Sequence, residues 1–285
     1  MPDILHISDL HFGPPLLPNR AAGVRHLIAA TGPDLVVVSG DFTQRAKRRQ
    51  FREARAFLDT IAPPVVVTPG NHDVPLYRVH ERLFTPHRHY LAHISPRLDS
   101  VHRIDGLTLV CLNSSRASQI TNGRLAPRQL EFAERAFAEA DPSDVRVVVF
   151  HHNPIRPADT EPIAVLRGAA RALAAFEDMG VRLILSGHAH RAYLAQVVRG
   201  AAGSAGRPGM VLAGCGTTTS SRGRAVERGA NSLNLVRVSR TAVEITRHLW
   251  DEGAGRFRPH SEHRFGAAVT GRTVSPAPAV RRSLG

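Results

Sequence analysis

Lysine, cysteine and long apolar runs are scarce in this chain. The few cysteines and the short apolar runs each exclude a class of protein. Two cysteines, Cys111 and Cys215, are too few for a thiolate zinc cluster, and each stands in an apolar stretch where a buried free thiol is expected. No apolar run approaches the roughly 20 residues of a membrane-spanning helix, and no basic or apolar leader precedes Ile4. We therefore expect a cytoplasmic protein without a transmembrane segment.

The positive charge of the chain comes almost wholly from arginine, because Lys47 is the only lysine behind a formal net charge of +13. These charges are dispersed, and aromatic residues, 5% of the chain, are not interleaved with them as they are in single-strand binders. We expect a solvated basic surface that favours small anionic substrates, and no specific nucleic-acid partner. The oligomeric state stays open between monomer and homodimer.

Short β-branched runs alternate with helical patterns as far as His190, which predicts βαβ units and a largely parallel sheet. The predicted strands are residues 4–7, 35–39, 65–68, 107–112, 145–150 and 181–186, and the predicted helices are residues 20–30, 48–61, 127–140 and 162–179. Four later strands, residues 193–198, 210–213, 232–238 and 242–249, predict an antiparallel extension. We expect one domain over residues 1–265, with a flexible loop at 199–209 and a flexible basic tail at 266–285.

Polar residues cluster where the predicted strands end, which is where open α/β sheets bind their ligands. They form five groups in chain order: Asp9-Leu10-His11, Gly40-Asp41, Gly70-Asn71-His72-Asp73, His151-His152-Asn153 and Gly187-His188-Ala189-His190. A single histidine after a strand is usually structural, but five such groups in register favour a metal site. Residues two apart share a face of an extended strand, so the members of an i, i+2 pair could share one ion. Carboxylates, an amide and imidazoles without thiolates suit manganese, iron or zinc.

Together these five groups resemble the signature of the calcineurin-like metallophosphoesterases over residues 4–190. The resemblance implies an α/β fold, a four-layer αββα sandwich of two mixed β-sheets flanked by helices. It also implies two divalent metal ions, manganese or iron with zinc also accepted. One ion would be held by Asp9, His11 and His190, the other by Asn71, His151 and His188, and Asp41 would bridge both.

The same resemblance implies the catalytic roles. Two cations lower the pKa of a shared water, and the resulting bridging hydroxide attacks the phosphodiester. His72 would stand beside the phosphate, as a transition-state stabiliser or as the acid that protonates the leaving group. His152 would line the pocket, although the choice between His151 and His152 as the ligand stays open. Arg222, in the polar run 216–224, is either a phosphate contact or part of a plain surface loop.

Two departures from the motifs of related enzymes narrow the class of substrate. Gln44 stands where protein Ser/Thr phosphatases carry Asp in their GDxxDRG motif, and His72 stands where the main branch of UDP-diacylglucosamine hydrolases carries Arg. The likeness of residues 4–13, 36–45 and 67–76 to the bacterial class III cyclic nucleotide phosphodiesterases implies a small phosphodiester substrate such as 3′,5′-cyclic AMP. Three alternatives are a lipid A pyrophosphatase with an exposed apolar groove near residues 83–98, a nuclease, and a metal-bound nucleotide sensor without turnover.

Overall fold

The computed structural model describes residues 2–104, 106–156, 163–197 and 209–266, which form two six-stranded β-sheets and six α-helices. The first sheet contains β1 (Asp3–Ile7), β2 (Leu35–Val38), β3 (Val65–Val67), β10 (Ser232–Val238), β11 (Val243–Asp251) and β12 (Arg256–Phe265). The second contains β4 (Ser100–Ile104), β5 (Leu107–Cys111), β6 (Val145–Val149), β7 (Leu183–Ser186), β8 (Tyr193–Val197) and β9 (Met210–Gly214). The helices are α1 (Pro18–Thr31), α2 (Arg48–Leu58), α3 (Val79–Phe84), α4 (Arg88–His93), α5 (Pro127–Ala138) and α6 (Ala169–Asp178).

Both sheets are mixed. The first has the order β12-β11-β10-β1-β2-β3, in which β1, β2 and β3 are parallel and the last three strands of the chain join antiparallel. The second has the order β4-β5-β6-β7-β9-β8, with β4 and β8 as antiparallel edges. The predicted antiparallel extension is therefore divided, because β8 and β9 join the second sheet while β10 and β11 join the first.

Side-chain alternation along the strands produces four layers. On β1, Leu5 and Ile7 pack in the core cluster that contains residues of α1 and α2, whereas Ile4 belongs to the cluster between the two sheets. On the opposite side, Val148 of β6 packs with Phe137 of α5. The predicted αββα sandwich is thus confirmed, since each sheet has one face against the other sheet and one face under helices.

Two strands and one helix boundary differ from the sequence prediction. The edge strands β4 and β12 were not predicted, because edge strands carry polar side chains and lack a clear apolar period; β12 even contains Pro259, beside a bulge in its pairing with β11. The helix predicted over residues 162–179 was wrong at its start. It begins at Ala169, after Gly168 with a φ of 75°.

Several predictions fall outside the described residues. They are the flexible loop, apart from Gly209, and the flexible tail, apart from Gly266. The single-domain boundary at residue 265 stays a prediction. Within the described part of the chain, no helix is both long and apolar enough to span a membrane.

Candidate metal centre

The loops that follow β1, β2, β3, β6 and β7 lie against one another. The N–H of Asp9 donates to the carbonyl oxygen of Gly40 at 3.0 Å, and the N–H of Gly187 donates to that of His151 at 2.9 Å. A Cβ on Gly40 would lie 2.7 Å from Nδ1 of His151 and 2.8 Å from the backbone nitrogen of Gly70. Only glycine therefore allows the loops to approach this closely.

Five of the predicted ligands have left-handed backbone. The φ values are 53° for Asp9, 50° for His11, 53° for Asp41, 68° for His188 and 54° for His190. This corrects the expectation that the i, i+2 pairs share a face of extended backbone. A non-glycine residue in this region costs on the order of 1–3 kcal/mol, and such strain concentrates at functional sites. The side chains converge because the chain turns sharply at each residue.

The first group of side chains consists of Asp9, His11, Asp41 and His190, whose potential ligand atoms all lie within 4.8 Å of one another. Oδ1 of Asp9 lies 3.1 Å from Nε2 of His190 and 3.7 Å from Nε2 of His11. The two imidazole Nε2 atoms are 3.1 Å apart. All four side chains are buried. The sequence-predicted residues of the first metal position are thus brought together.

A second group adjoins the first through Asp41. Oδ2 of Asp41 lies 3.3 Å from Nε2 of His151, which is itself 3.2 Å from Oδ1 of Asn71. Nδ1 of His188 lies 3.0 Å from the same amide oxygen. Since Oδ2 of Asp41 also lies 3.7 Å from Nε2 of His11, the Asp41 carboxylate stands between the two groups.

The donor atoms of these groups fit cations. Oδ1 of Asp9 and Oδ2 of Asp41 are buried without a hydrogen-bond partner among the described residues. Their sister oxygens are occupied: Oδ2 of Asp9 accepts from the Ser8 hydroxyl at 2.7 Å, and Oδ1 of Asp41 accepts from the N–H of His72 at 2.8 Å. Buried carboxylate oxygens without partners are unfavourable unless a cation compensates them, so each carboxylate offers one oxygen to a metal.

Hydrogen bonds also fix two imidazole tautomers. Nδ1 of His151 lies 2.7 Å from the carbonyl oxygen of Ser39, and Nδ1 of His190 lies 3.0 Å from that of Arg222. A carbonyl oxygen only accepts hydrogen bonds, so each Nδ1 carries the proton. In the neutral form of each ring the lone pair is then on Nε2, which faces the carboxylates. This is the usual arrangement of metal-binding histidines.

The metal-free cluster attracts cations. Burial raises the pKa of Asp9 and of Asp41, but nearby imidazoles outweigh it and hold both values well below the ordinary range. Burial lowers the pKa of His11 to about 3. Burial also lowers the pKa of His151, but the Asp41 carboxylate outweighs it and raises the value to about 9. Anionic carboxylates beside mostly neutral imidazoles give a site that favours positive charge.

His72 and Arg222 lie together on the rim of the cluster. Nδ1 of His72 lies 3.0 Å from the carbonyl oxygen of Gln44, and its half-buried ring lies 4.9 Å from the ring of His11. The guanidinium of Arg222 donates to Oε1 of Gln44 at 3.1 Å. Burial lowers the pKa of His72. Gln44 thus holds both predicted substrate contacts, one through its backbone and one through its side chain.

His152 is buried beside the second group. Its Nδ1 lies 2.8 Å from the hydroxyl of Ser114, and its ring centroid lies 4.6 Å from that of His188. Its Nε2 has no hydrogen-bond partner in the described parts of the chain. The hydrogen bonds place His151, rather than its neighbour, against Asp41 and Asn71.

Sequence reasoning gave no role to two sets of side chains that position the cluster. The Asp73 carboxylate accepts hydrogen bonds from the N–H groups of Thr43 and Gly70, both at 2.9 Å, and so joins the loops that carry Asp41 and Asn71. Residues 217–220, expected to be a polar loop, are buried, and the Thr217 hydroxyl donates to the carbonyl oxygen of Asp9 at 2.8 Å. For residues 217–220, the sequence signal that could have indicated burial was a run of small hydroxyl residues next to an apolar strand.

Comparison with known families identifies the arrangement. The sequence model of the calcineurin-like phosphoesterases matches residues 2–192. The chain belongs to this family. The matched region of the chain contains both groups of predicted ligands. Membership of the family places the chain among hydrolases that act on phosphoric esters.

Relatives of this phosphoesterase share a limited part of its sequence. A protein named "Probable cyclic nucleotide phosphodiesterase" from Synechococcus is 29% identical over 61% of this chain and 65% of its own length. The glycerophosphodiester phosphodiesterase GpdQ of Enterobacter lignolyticus is 28% identical over 68% of this chain and 72% of its own length. The match to the Synechococcus protein therefore spans less than two thirds of that relative.

A solved structure supports the fold of this phosphoesterase. The purple acid phosphatase PPD1 from yellow lupin (Lupinus luteus) superposes with a TM-score of 0.69 over 93% of this chain and 53% of its own, at 10% sequence identity. The shared feature at that identity is the fold alone.

Proposed function

We propose that this protein is a dinuclear metal-dependent phosphodiesterase that hydrolyses a small phosphodiester, with 3′,5′-cyclic AMP as the first candidate substrate. The observation that carries the proposal is a pair of buried carboxylate oxygens, Oδ1 of Asp9 and Oδ2 of Asp41, which have no hydrogen-bond partner among the described residues and face imidazole Nε2 atoms. Asp9, His11 and His190 would hold one ion, Asn71, His151 and His188 the other, and Asp41 would bridge them.

Residues of the chain would contact the substrate beside the metal ions. Two divalent cations, when bound, supply a water of lowered pKa and neutralise charge on the phosphoryl oxygens. His72 reaches the rim with Nδ1 engaged by Gln44, so its Nε2 is the atom available to a substrate oxygen. Arg222, held by the Gln44 amide, offers a guanidinium to the phosphate. His152 lines the buried side and supports His188 through ring contact.

Two points bear on the substrate: the first supports the diester class, and the second supports a small anion. Both relatives described above carry names of phosphodiesterases, one for cyclic nucleotides and one for glycerophosphodiesters. Gln44, unlike the Asp of the protein phosphatase motif, leaves the charge of Arg222 unneutralised, which suits a small anionic substrate. Manganese and iron are the first metals to test, because availability rather than affinity decides among ions at such ligand sets.

One observation favours a second candidate, the pyrophosphatase of a nucleotide-sugar lipid. Exposed apolar side chains occur on α3 and beside it, at Tyr77, Val79, Leu83 and Phe84, with exposed fractions of 75%, 61%, 61% and 70%. Exposed apolar patches mark sites that contact apolar partners. They lie close to the region where the sequence predicted an apolar groove for that alternative.

The test is hydrolysis of bis(p-nitrophenyl) phosphate by metal-stripped protein, before and after addition of Mn²⁺, with Asp41→Ala as the control. We expect turnover that requires the metal and is abolished by Asp41→Ala. Cyclic AMP, glycerophosphocholine and UDP-diacylglucosamine in the same assay rank the substrates. Metal binding without turnover of any of these compounds would refute the enzymatic proposal and favour a nucleotide sensor.

A further inference from the structure

A small basic cavity lies between the start of α5 and the start of α6, formed by residues outside the metal-ligand groups. Its volume is about 250 Å³, and Arg124, Arg167 and Arg171 line it together with Leu125 and Leu130. No acidic side chain is among the described residues that form its wall. Three arginines therefore line one concave surface, and the adjoining hollow, which shares Leu130 and Arg171 with it, carries Glu131, Glu134 and Asp178.

The three guanidinium groups also lack ion-pair partners within the described ranges of the chain. Some surface arginines elsewhere do find carboxylates. Arg49 pairs with Glu53 at 2.7 Å, and Arg237 pairs with Asp3 at 2.8 Å. Among the described residues, no ion pair neutralises the charge that these three arginines bring to the cavity.

The backbone fixes the positions of two of these arginines. Arg124 and Arg167 face each other in a parallel β-bridge, and the N–H of Arg167 donates to the carbonyl oxygen of Gly123 at 2.8 Å. The N–H of Arg124 donates to the carbonyl oxygen of Ser114 at 2.9 Å. A Cβ on Gly123 would lie 2.3 Å from ring atoms of His152, so this segment is packed tightly against the interior. The bridge thus fixes the backbone of Arg124 and Arg167 at the cavity, while a bound ligand would have to order their exposed side chains.

We propose that this cavity binds a small phosphomonoester. A guanidinium matches phosphate oxygens bidentately, and a dianionic phosphate offers charge to three cations at once. Leu125, which is 7% exposed, and Leu130 supply an apolar surface for the organic part of the ligand. A volume of about 250 Å³ admits a compound of nucleotide size. The site does not depend on the proposed phosphodiesterase activity.

The experiment is calorimetric titration of adenosine 5′-monophosphate into the manganese-loaded full chain. The variant is Arg167→Gln combined with Arg171→Gln, and the matched control is Arg135→Gln, because Arg135 is an exposed arginine of α5 outside the cavity. We expect the double variant to weaken one binding event at least tenfold, with manganese content and thermal unfolding unchanged. Arg135→Gln should leave nucleotide binding intact, both at the cavity and at the metal centre. Binding at the cavity should persist after the metals are removed with EDTA.

Other outcomes would overturn the proposal. The first is unchanged affinity in the double variant, and the second is an equal loss of affinity in Arg135→Gln. The third is loss of all nucleotide binding when the metals are removed, which would assign the nucleotide to the metal centre alone. Inorganic phosphate that binds as tightly as the nucleotide would refute the role of the leucines. Adenosine that binds as tightly would refute recognition by charge. If the wild-type event is present but no phosphodiester is hydrolysed, the cavity proposal stands and the proposed activity fails.

Discussion

The ring of His151 donates its Nδ1–H to the carbonyl oxygen of Ser39 at 2.7 Å, which links the candidate metal centre to the core. The hydroxyl of the same serine lies 2.9 Å from Nε2 of His6. His6 is fully buried and lies on the same face of β1 as Ile4, between the two sheets. The orientation of His151 is thus supported from inside the sandwich.

Replacement of His6 tests this support. In His6→Leu the Ser39 hydroxyl loses its partner, so we expect Mn²⁺ affinity to fall, by less than the roughly ten- to hundredfold loss that follows removal of a group bonded directly to a metal ligand. His6→Gln should retain more affinity, because its amide group occupies the position of Nε2. Calorimetric titration with Mn²⁺ measures the effect, and thermal unfolding reports on the fold. Equal affinity in His6→Leu and the wild type would show that the link is structural only.

Asp73→Asn tests the connection between the loops after β2 and β3. The amide nitrogen would face backbone N–H groups that now donate to a carboxylate, leaving buried donors unsatisfied. We expect the free energy of unfolding to fall by about 1–3 kcal/mol and metal affinity to fall with it. Urea unfolding measures the first effect. Asp59→Asn, at an exposed carboxylate, is the control and should change stability by less than about 0.5 kcal/mol.

His72→Gln separates the two roles considered for this side chain. If His72 protonates the leaving group, kcat for an alkyl diester such as cyclic AMP should fall about 10²- to 10⁴-fold. Bis(p-nitrophenyl) phosphate should be affected far less, because p-nitrophenolate leaves without a proton. An equal loss for both substrates would instead assign His72 to phosphate stabilisation. No loss for either would remove it from the reaction.

The pH dependence of stability follows from the buried histidines. Burial lowers the pKa of His6 and of His188 to about 3, whereas both titrate near 6.5 in the unfolded chain. The unfolded state therefore binds more protons between these values, and the metal-free protein should lose stability as the pH falls from 6.5 towards 3. Urea midpoints measured at pH 4, 5 and 7 check this expectation. Equal midpoints at all three values would contradict it.

His151 acts with the opposite sign. Its pKa is raised to about 9, so its contribution to the stability of the metal-free fold is complete below pH 6.5 and is lost as the pH rises through 9. Metal binding must displace this proton, so Mn²⁺ affinity should increase over the same range with release of a proton. Titration in two buffers of different ionisation enthalpy measures that release, and His151→Asn should abolish it.

The order of the elements and the positions of the ligand groups could be predicted because both are local properties. Residues 4–7, 35–39 and 145–150 read as buried strands from their apolar runs, and the structure has strands at each of them. The polar groups behind them needed only the rule that parallel strands end at one edge. The edge strand β12 escaped prediction because its pairing partner, and not its own pattern, makes it a strand.

The sequence by itself determined the family and the residue types available to bind metal, since these depend on motifs of a few residues, and the layered fold followed from the family resemblance. The tertiary structure decided which atoms meet. It placed His151 rather than His152 against Asp41, gave five of the predicted ligands left-handed backbone, and positioned Asp73 between two loops. Those outcomes depend on contacts between residues 30 to 180 positions apart, which hydrogen bonding and close packing in the folded chain select.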